Sequence, residues 1–182
     1  MKKSLILLSL TVFYFSVTFS QATYHSGIGL RIGTGYSDLF SASYKVFLSE
    51  GPGAIELNLG VKPPYAYNYG YPGNSGYYNT DITMMSFSAS YQYHFPIAAL
   101  EGLQWFVGGG VTLTNTFADA DGYSGIGFGI FPTGGADYKF GNIPLDVSVD
   151  IRPTFRIASP QYYDYSNFYF PDFGFSARYT IN

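Results

Sequence analysis

Along most of this chain, apolar and polar positions alternate with a period of two. Successive side chains of a β-strand point to opposite faces, so such runs predict strands with one greasy and one polar or small face. Phe40, Ala42, Tyr44, Val46 and Leu48 alternate with Ser41, Ser43, Lys45, Phe47 and Ser49. Ile55, Leu57, Leu59 and Val61 oppose Glu56, Asn58, Gly60 and Lys62. Met85, Phe87, Ala89, Tyr91, Tyr93 and Phe95 oppose Ser86, Ser88, Ser90, Gln92 and His94. Leu145, Val147, Val149, Ile151, Pro153, Phe155 and Ile157 oppose Asp146, Ser148, Asp150, Arg152, Thr154 and Arg156. Four weaker runs cover 24–34, 103–115, 124–140 and 172–181, with Phe106 breaking the fifth of the eight patterns.

The N-terminus reads differently. Met1-Lys2-Lys3 is a short basic start, and Ser4 to Phe19 is mostly apolar. Small residues follow at Ser20-Gln21-Ala22. This is the pattern of an export signal, cleaved between Ser20 and Thr23, and the run is shorter than the about 20 residues of a spanning helix. The chain thus divides into 1–22, a signal peptide, and 23–182, a single β domain. Glu101 interrupts the nearest later candidate for an apolar helix, Phe95 to Val111, so the mature chain enters a membrane as strands or not at all.

Spacers between the runs alternate in length. Ser49–Gly53 and Gly141–Pro144 are tight, whereas 63–80 and Ala158–Pro171 are long. Both long spacers are odd-numbered connections and fall at one end. The pattern predicts an all-β fold, an eight-stranded antiparallel up-and-down transmembrane β-barrel, with long loops at the cell exterior. Closure removes the open edges that lipid would not tolerate.

Placement of charge supports this. The seven basic residues after the signal are Arg31, Lys45, Lys62, Lys139, Arg152, Arg156 and Arg178, and all sit on the polar parity. A Lys or Arg facing lipid at midplane costs roughly 2–4 kcal/mol. With Glu56, Asp137, Asp146 and Asp150, they are expected to form a lumen charge network. An eight-stranded barrel is just wide enough for side chains to fill, so this network reads as a plug, with a narrow ion or small-solute channel as the alternative. Buried charges must pair or they are very costly.

Composition narrows the function classes. Aromatics make up 20% and charged residues 12% of the chain, with 22 Gly and 19 Tyr. Low charge with abundant Tyr and Gly suits one face in lipid and the other in a cramped polar interior. The formal charge of −3 becomes about −5 without Lys2 and Lys3, which argues against nucleic acid as a partner. No cysteine is present, so a disulfide framework and a thiolate metal site are excluded. His25 and His94 are the only histidines, and nothing clusters with them as a metal site. Ser90 and His94 share a parity but lie roughly 13 Å apart along a strand, too far for a nucleophile and base. The chain is therefore expected to be neither an enzyme nor cofactor-dependent. The Gly27-Gly29-Gly33 and Gly125-Gly127-Gly129 series sit on strands without a following helix, so a nucleotide-binding reading fails. Inward glycines instead make room for Phe106 and Phe131.

On these features the chain resembles the small porin-like superfamily of Gram-negative bacterial outer-membrane barrels, the opacity, OmpA and OmpX-type proteins. The local pieces are Gly27-Ile28-Gly29-Leu30-Arg31, Ser43-Tyr44-Lys45-Val46-Phe47-Leu48-Ser49 and Asp137 to Leu145. The last strand resembles the assembly signal of such barrels through Asp172, Gly174, Ala177 and Tyr179, although the chain adds Thr180-Ile181-Asn182 where the family often stops on an aromatic. The resemblance implies export to the cell outer membrane, contact with outer-membrane lipid and lipopolysaccharide, and insertion by the barrel-assembly machinery.

The long spacers hold the candidate surface residues. One carries Tyr65, Tyr67, Tyr69, Tyr71, Tyr77 and Tyr78, the other Tyr162, Tyr163, Tyr165 and Tyr169. Tyrosine is a rigid amphipathic recognition residue, which suggests binding to an extracellular protein or glycan. The alternative is that these tyrosines extend the strands into an interfacial girdle. A different overall reading is a soluble secreted barrel binding an apolar ligand; it requires the apolar parity inside and the charged parity outside.

Overall fold

The computed structural model describes residues 24–35, 37–49, 51–70, 77–119, 124–159 and 167–181. The expected signal peptide lies outside them, as do Tyr71, Tyr162, Tyr163 and Tyr165. Ten strands form one sheet: β1 (Ser26–Gly33), β2 (Phe40–Phe47), β3 (Gly53–Gly70), β4 (Tyr77–Pro96), β5 (Leu103–Ala118), β6 (Gly125–Lys139), β7 (Leu145–Ile151), β8 (Thr154–Ala158), β9 (Phe168–Tyr169) and β10 (Phe173–Ile181). All pairings are antiparallel. β7 with β8 makes one interrupted stave, and β9 with β10 another, so the wall has eight staves. β1 pairs with β10 and β5 with β6, which closes the cylinder.

Burial follows parity. On β10, Phe173, Phe175, Tyr179 and Ile181 are exposed, while Gly174, Ser176, Arg178 and Thr180 are buried. β2 repeats this with Phe40, Ala42 and Tyr44 outside and Ser41, Ser43 and Lys45 inside. The reading that places the apolar parity inside is overturned: the exposed side chains include Ile28, Leu30, Leu59, Ile126 and Val149. Among the described strand residues, Asp81 is the one exposed charge, and it lies on the extension of β4 beyond its last pairing with β5, Ile82↔Ala118.

Three strand boundaries differ from the sequence expectation. The long spacer 63–80 is largely strand: β3 and β4 continue in register from Tyr65↔Ile82 to Gly70↔Tyr77. At Pro63 and Pro64, where that spacer begins, the ladder carries a register shift between Lys62 and Tyr65. A bulge absorbs residues that cannot donate to the ladder. The seventh run is split at Arg152-Pro153 into β7 and β8. The last long spacer is shortened by β9, whose Phe168 pairs with Phe155.

Inward glycines are required where staves approach or a large ring intrudes. A Cβ on Gly108 would collide with the Tyr91 carbonyl oxygen and stand 2.9 Å from its carbon. Gly135 faces Phe106, and Gly110 faces Phe131, with 2.8 Å and 2.7 Å left for a Cβ against each ring. Phe106, the residue that broke the fifth run, is thus an inward aromatic, 1% exposed. We expect Gly108→Ala to destabilise the folded barrel by about 1–3 kcal/mol through overpacking. Gly141→Ala, with nothing within 4 Å, leaves it unchanged. Urea unfolding in micelles distinguishes the two.

Candidate functional site: a charge ladder in the lumen

Inward parity carries the polar residues, and the small ones among them leave room for the large. Ser41, Ser43, Ser88, Ser148 and Ser176 line the wall between long charged side chains. The β2–β3, β4–β5 and β6–β7 turns share one end with Tyr24 and Ile181, here the turn end; the other four connections form the loop end.

The turn end is sealed by rings around one ion pair. Lys45 Nζ pairs with Asp137 Oδ2 across the lumen and stands 4.9 Å from the Phe106 ring centroid. His94 Nε2 lies 3.3 Å from the same Asp137 oxygen, and its Nδ1 is 3.3 Å from the Pro52 carbonyl. The imidazole sits between Phe47 and Phe106, at centroid distances of 4.9 and 5.2 Å, and Tyr24 meets Phe47 edge-on at 5.0 Å.

Glu56 is the hub of the middle layer. Its Oε1 accepts from Arg152 Nη2 at 2.7 Å and from Asn58 Nδ2 at 3.0 Å, and lies 3.1 Å from Arg178 Nη2. Its Oε2 accepts from Gln92 Nε2 at 2.8 Å. Arg178 also donates to Asp146 at 3.1 Å, Ser148 at 2.9 Å and Ser43 at 3.0 Å.

The loop-end layer turns on Asp150. Arg31 binds it through two nitrogens, at 2.7 and 3.1 Å, and Arg152 Nε lies 2.8 Å away. Arg31 reaches on to Asp38 at 3.1 Å and Asp172 at 3.4 Å. A ladder of alternating sign therefore runs Asp146, Arg178, Glu56, Arg152, Asp150, Arg31, then Asp38 and Asp172. Two-nitrogen guanidinium contacts to carboxylate are the strong form of this bond.

Eight of the eleven residues expected in the lumen network are buried, namely Arg31, Lys45, Glu56, Asp137, Asp146, Asp150, Arg152 and Arg178. The other three are half-buried towards the ends: Lys62 donates to the Gly35 carbonyl at 3.3 Å, Lys139 to the Phe140 and Ile143 carbonyls, and Arg156 lies on β8. Asp38 was not anticipated, because it sits in the β1–β2 connection. Asp172 was read only for its place in the assembly signal, although two steps back along the Gly174–Ser176–Arg178 parity identify it as inward. Of the signal residues, Gly174 packs against Arg31 inside, while Ala177 and Tyr179 are on the outer parity. The backbone of Tyr65, Tyr67, Tyr69, Tyr77 and Tyr78 lies on the extended β3–β4 hairpin, and Tyr169 Oη donates to the Thr34 carbonyl at 2.8 Å.

Above Arg31 and Arg152 the ladder leaves a small polar cavity of about 20 Å³. Its walls are Ser37, Asp38, Ser86, Ser88, Thr112, Phe131, Thr154 and Asp172 with the two arginines.

The fold and its interior define a closed antiparallel β-barrel with its apolar face outside and an ion-paired core. Among solved structures, the chain is similar to the crystal structure of Neisserial surface protein A, at 15% identity, over 86% of this chain and 94% of that one, with a TM-score of 0.46. No family model matches the chain, and no curated protein matches it.

Removing one partner from a buried ion pair leaves an uncompensated charge and costs about 3–5 kcal/mol. We expect Glu56→Ala to destabilise the barrel by that amount. Lys139→Ala, at the end of the lumen, costs less than about 1 kcal/mol. Urea midpoints in the same micelle measure both.

Proposed function

We propose that this chain is an integral bacterial outer-membrane protein, exported by its N-terminal signal, with a non-catalytic structural or surface-binding role. One observation carries the membrane reading: a closed barrel buries its charges and exposes its large apolar side chains. Water would penalise that arrangement and lipid rewards it. Dimensions agree. From Met85 to Phe95 the outer parity of β4 is apolar, and the ten steps between them, at about 3.4 Å each and tilted about 40°, span about 26 Å, close to the apolar band of such barrels. Aromatic residues cluster at the turn end of this band, where Phe95 stacks on Trp105 at 4.2 Å and Tyr138 meets Phe140 at 4.7 Å. Such rings suit a membrane–water boundary.

The aromatic seal and the charge ladder support a plugged lumen rather than an open pore. The surface-binding reading rests on the β3–β4 hairpin. Beyond Val61 and Ile82 its strands pair, among the described residues, only with one another, so it extends past the neighbouring staves. The hairpin backbone at Tyr65, Tyr67, Tyr69, Tyr77 and Tyr78 then runs beyond the bilayer, where a protein, a glycan or lipopolysaccharide could be recognised.

The protein is expected in outer-membrane fractions, resistant to carbonate extraction, with a folded band that shifts on boiling. Release by osmotic shock refutes the membrane reading. Replacing 65–78 by a short turn is expected to keep the heat-shifted band and to lower attachment of expressing cells to host surfaces at least severalfold. Unchanged attachment refutes the surface role.

A further inference from the structure

The wall does not rise to one height all round. With staves tilted about 40°, as closure of eight requires, the turn-end residues Ser26, Gly53, Pro96, Leu103, Lys139, Leu145 and Ile181 come level to within about 5 Å. The loop end is uneven. β1 and β2 have eight residues each, against 16 in β5 and 15 in β6. Their pairing ends at Gly33↔Gly174 and Phe40↔Val61, about 18 Å above the turn end, whereas Ala118 and Gly125 stand about 35 Å above it. Among the described residues, no strand pairs with β1 or β2 beyond that level. β5 and β6 lie across the lumen from β1 and β2, so a low lip faces a high wall.

Side chains follow this difference. On the high wall Leu113 and Ile130 are exposed at about 22 Å, and Phe117 and Ile126 continue the apolar face to about 32 Å. On the lip the apolar face ends with Ile32, Phe40 and Leu39. Level with Leu113 and Ile130, the lip carries polar groups instead. Thr34 is exposed, and Asp38 and Lys62 are half-buried. Lys62 Nζ donates to the Gly35 carbonyl at 3.3 Å, and Asp38 meets the Arg31 guanidinium at 3.1 Å, so both charges are held at the β1–β2 turn. Hydrocarbon against part-exposed charges is costly, whereas headgroups and water are not.

At the turn end the two sides agree. Leu48 on β2 stands level with Leu103 on β5, and Tyr179 on β10 with Trp105 on β5. Tyr179 and Trp105 are both exposed, which places aromatic anchors at one depth on different sides of the barrel. Tilting the whole barrel would level the loop end only by displacing these anchors.

We propose that the outer leaflet thins beside β1 and β2, so that lipid headgroups and water rest on the β1–β2 turn about 5–10 Å below their level on β5 and β6. The inference rests on the membrane reading above, with the loop end outward. A wall shorter than the hydrocarbon layer draws the polar boundary down to its rim. β9 rises on one flank of the lip and β3 on the other. With strands about 4.8 Å apart, the thinned front is about 10–15 Å wide.

The test uses the full mature barrel in phospholipid nanodiscs. The native chain has no cysteine, so single-cysteine variants report one position each. In dioleoyl phosphatidylcholine, T34C and L39C are expected to react with a charged, membrane-impermeant maleimide at least tenfold faster than L113C and I130C. At the turn end L48C and L103C are expected to react alike within threefold. In dilauroyl phosphatidylcholine, whose boundary lies near the lip all round, the loop-end ratio is expected to fall below threefold. The heat-shifted band shows that each variant is folded. Equally slow reaction at Thr34, Leu39, Leu113 and Ile130 overturns the proposal. So does a tenfold ratio that persists in the short-chain lipid, which ascribes it to the turn rather than the bilayer. A turn-end difference of tenfold overturns it in favour of a tilted barrel. Fast reaction at every position, Leu113 and Ile130 included, refutes the membrane reading itself.

Discussion

Everything polar in this barrel depends on the pairing of Glu56 with Arg152 and Arg178. A charge moved from water into a low-dielectric interior is costly by several kcal/mol unless it is paired and its remaining valences are bonded. Glu56 satisfies both conditions, with two guanidinium groups and two amide donors around one carboxylate. Because Glu56 is on β3, Arg152 between β7 and β8, and Arg178 on β10, this node ties β3 to two staves that are not its neighbours in the sheet. Lys45 and Asp137 do the same for β2 and β6. Backbone ladders join each stave only to the next. The ion pairs fix the cross-section. That role also explains why so much of the inward parity is Ser, Thr and Gly: an arginine can cross the lumen only where the opposite wall is small.

Parity carried most of the fold. A greasy face and a charged face on alternate residues left one consistent closed arrangement, and the inward placement of Arg31, Lys45, Arg152 and Arg178 followed from it. Cross-strand neighbours such as Arg178↔Asp146 came with the register. Other features were not legible, for physical reasons. The β3–β4 extension was legible only in part: Tyr65, Tyr67 and Tyr69 alternate with Ala66, Asn68 and Gly70, as the strand-extension alternative for these tyrosines requires. Pro63 and Pro64 mimic a loop signal, whereas a bulge lets the ladder resume beyond them. Lys45 lies directly opposite Glu56 in register, yet its ammonium crosses to Asp137. Pattern gives the face of a side chain and not its reach. Asp38 belongs to a turn, where parity is undefined.

Irregularity is distributed unevenly along the barrel axis. The turn-end half has continuous ladders and a lumen packed with Tyr24, Phe47, His94 and Phe106. The loop-end half holds the shift after Lys62, the break at Pro153, the shift at Phe128 and the two-residue strand β9. It also holds the pocket. Regions with few backbone bonds open at lower free energy than the global unfolding of the same molecule. The sealed half can thus supply the stability of the barrel while the other half deforms. Were the Pro153 break at the turn end, it would lie over the aromatic seal and the Lys45–Asp137 pair. At the loop end the break lies over hydroxyls and over arginines already paired with carboxylates, where a weaker ladder leaves the charge pairing intact.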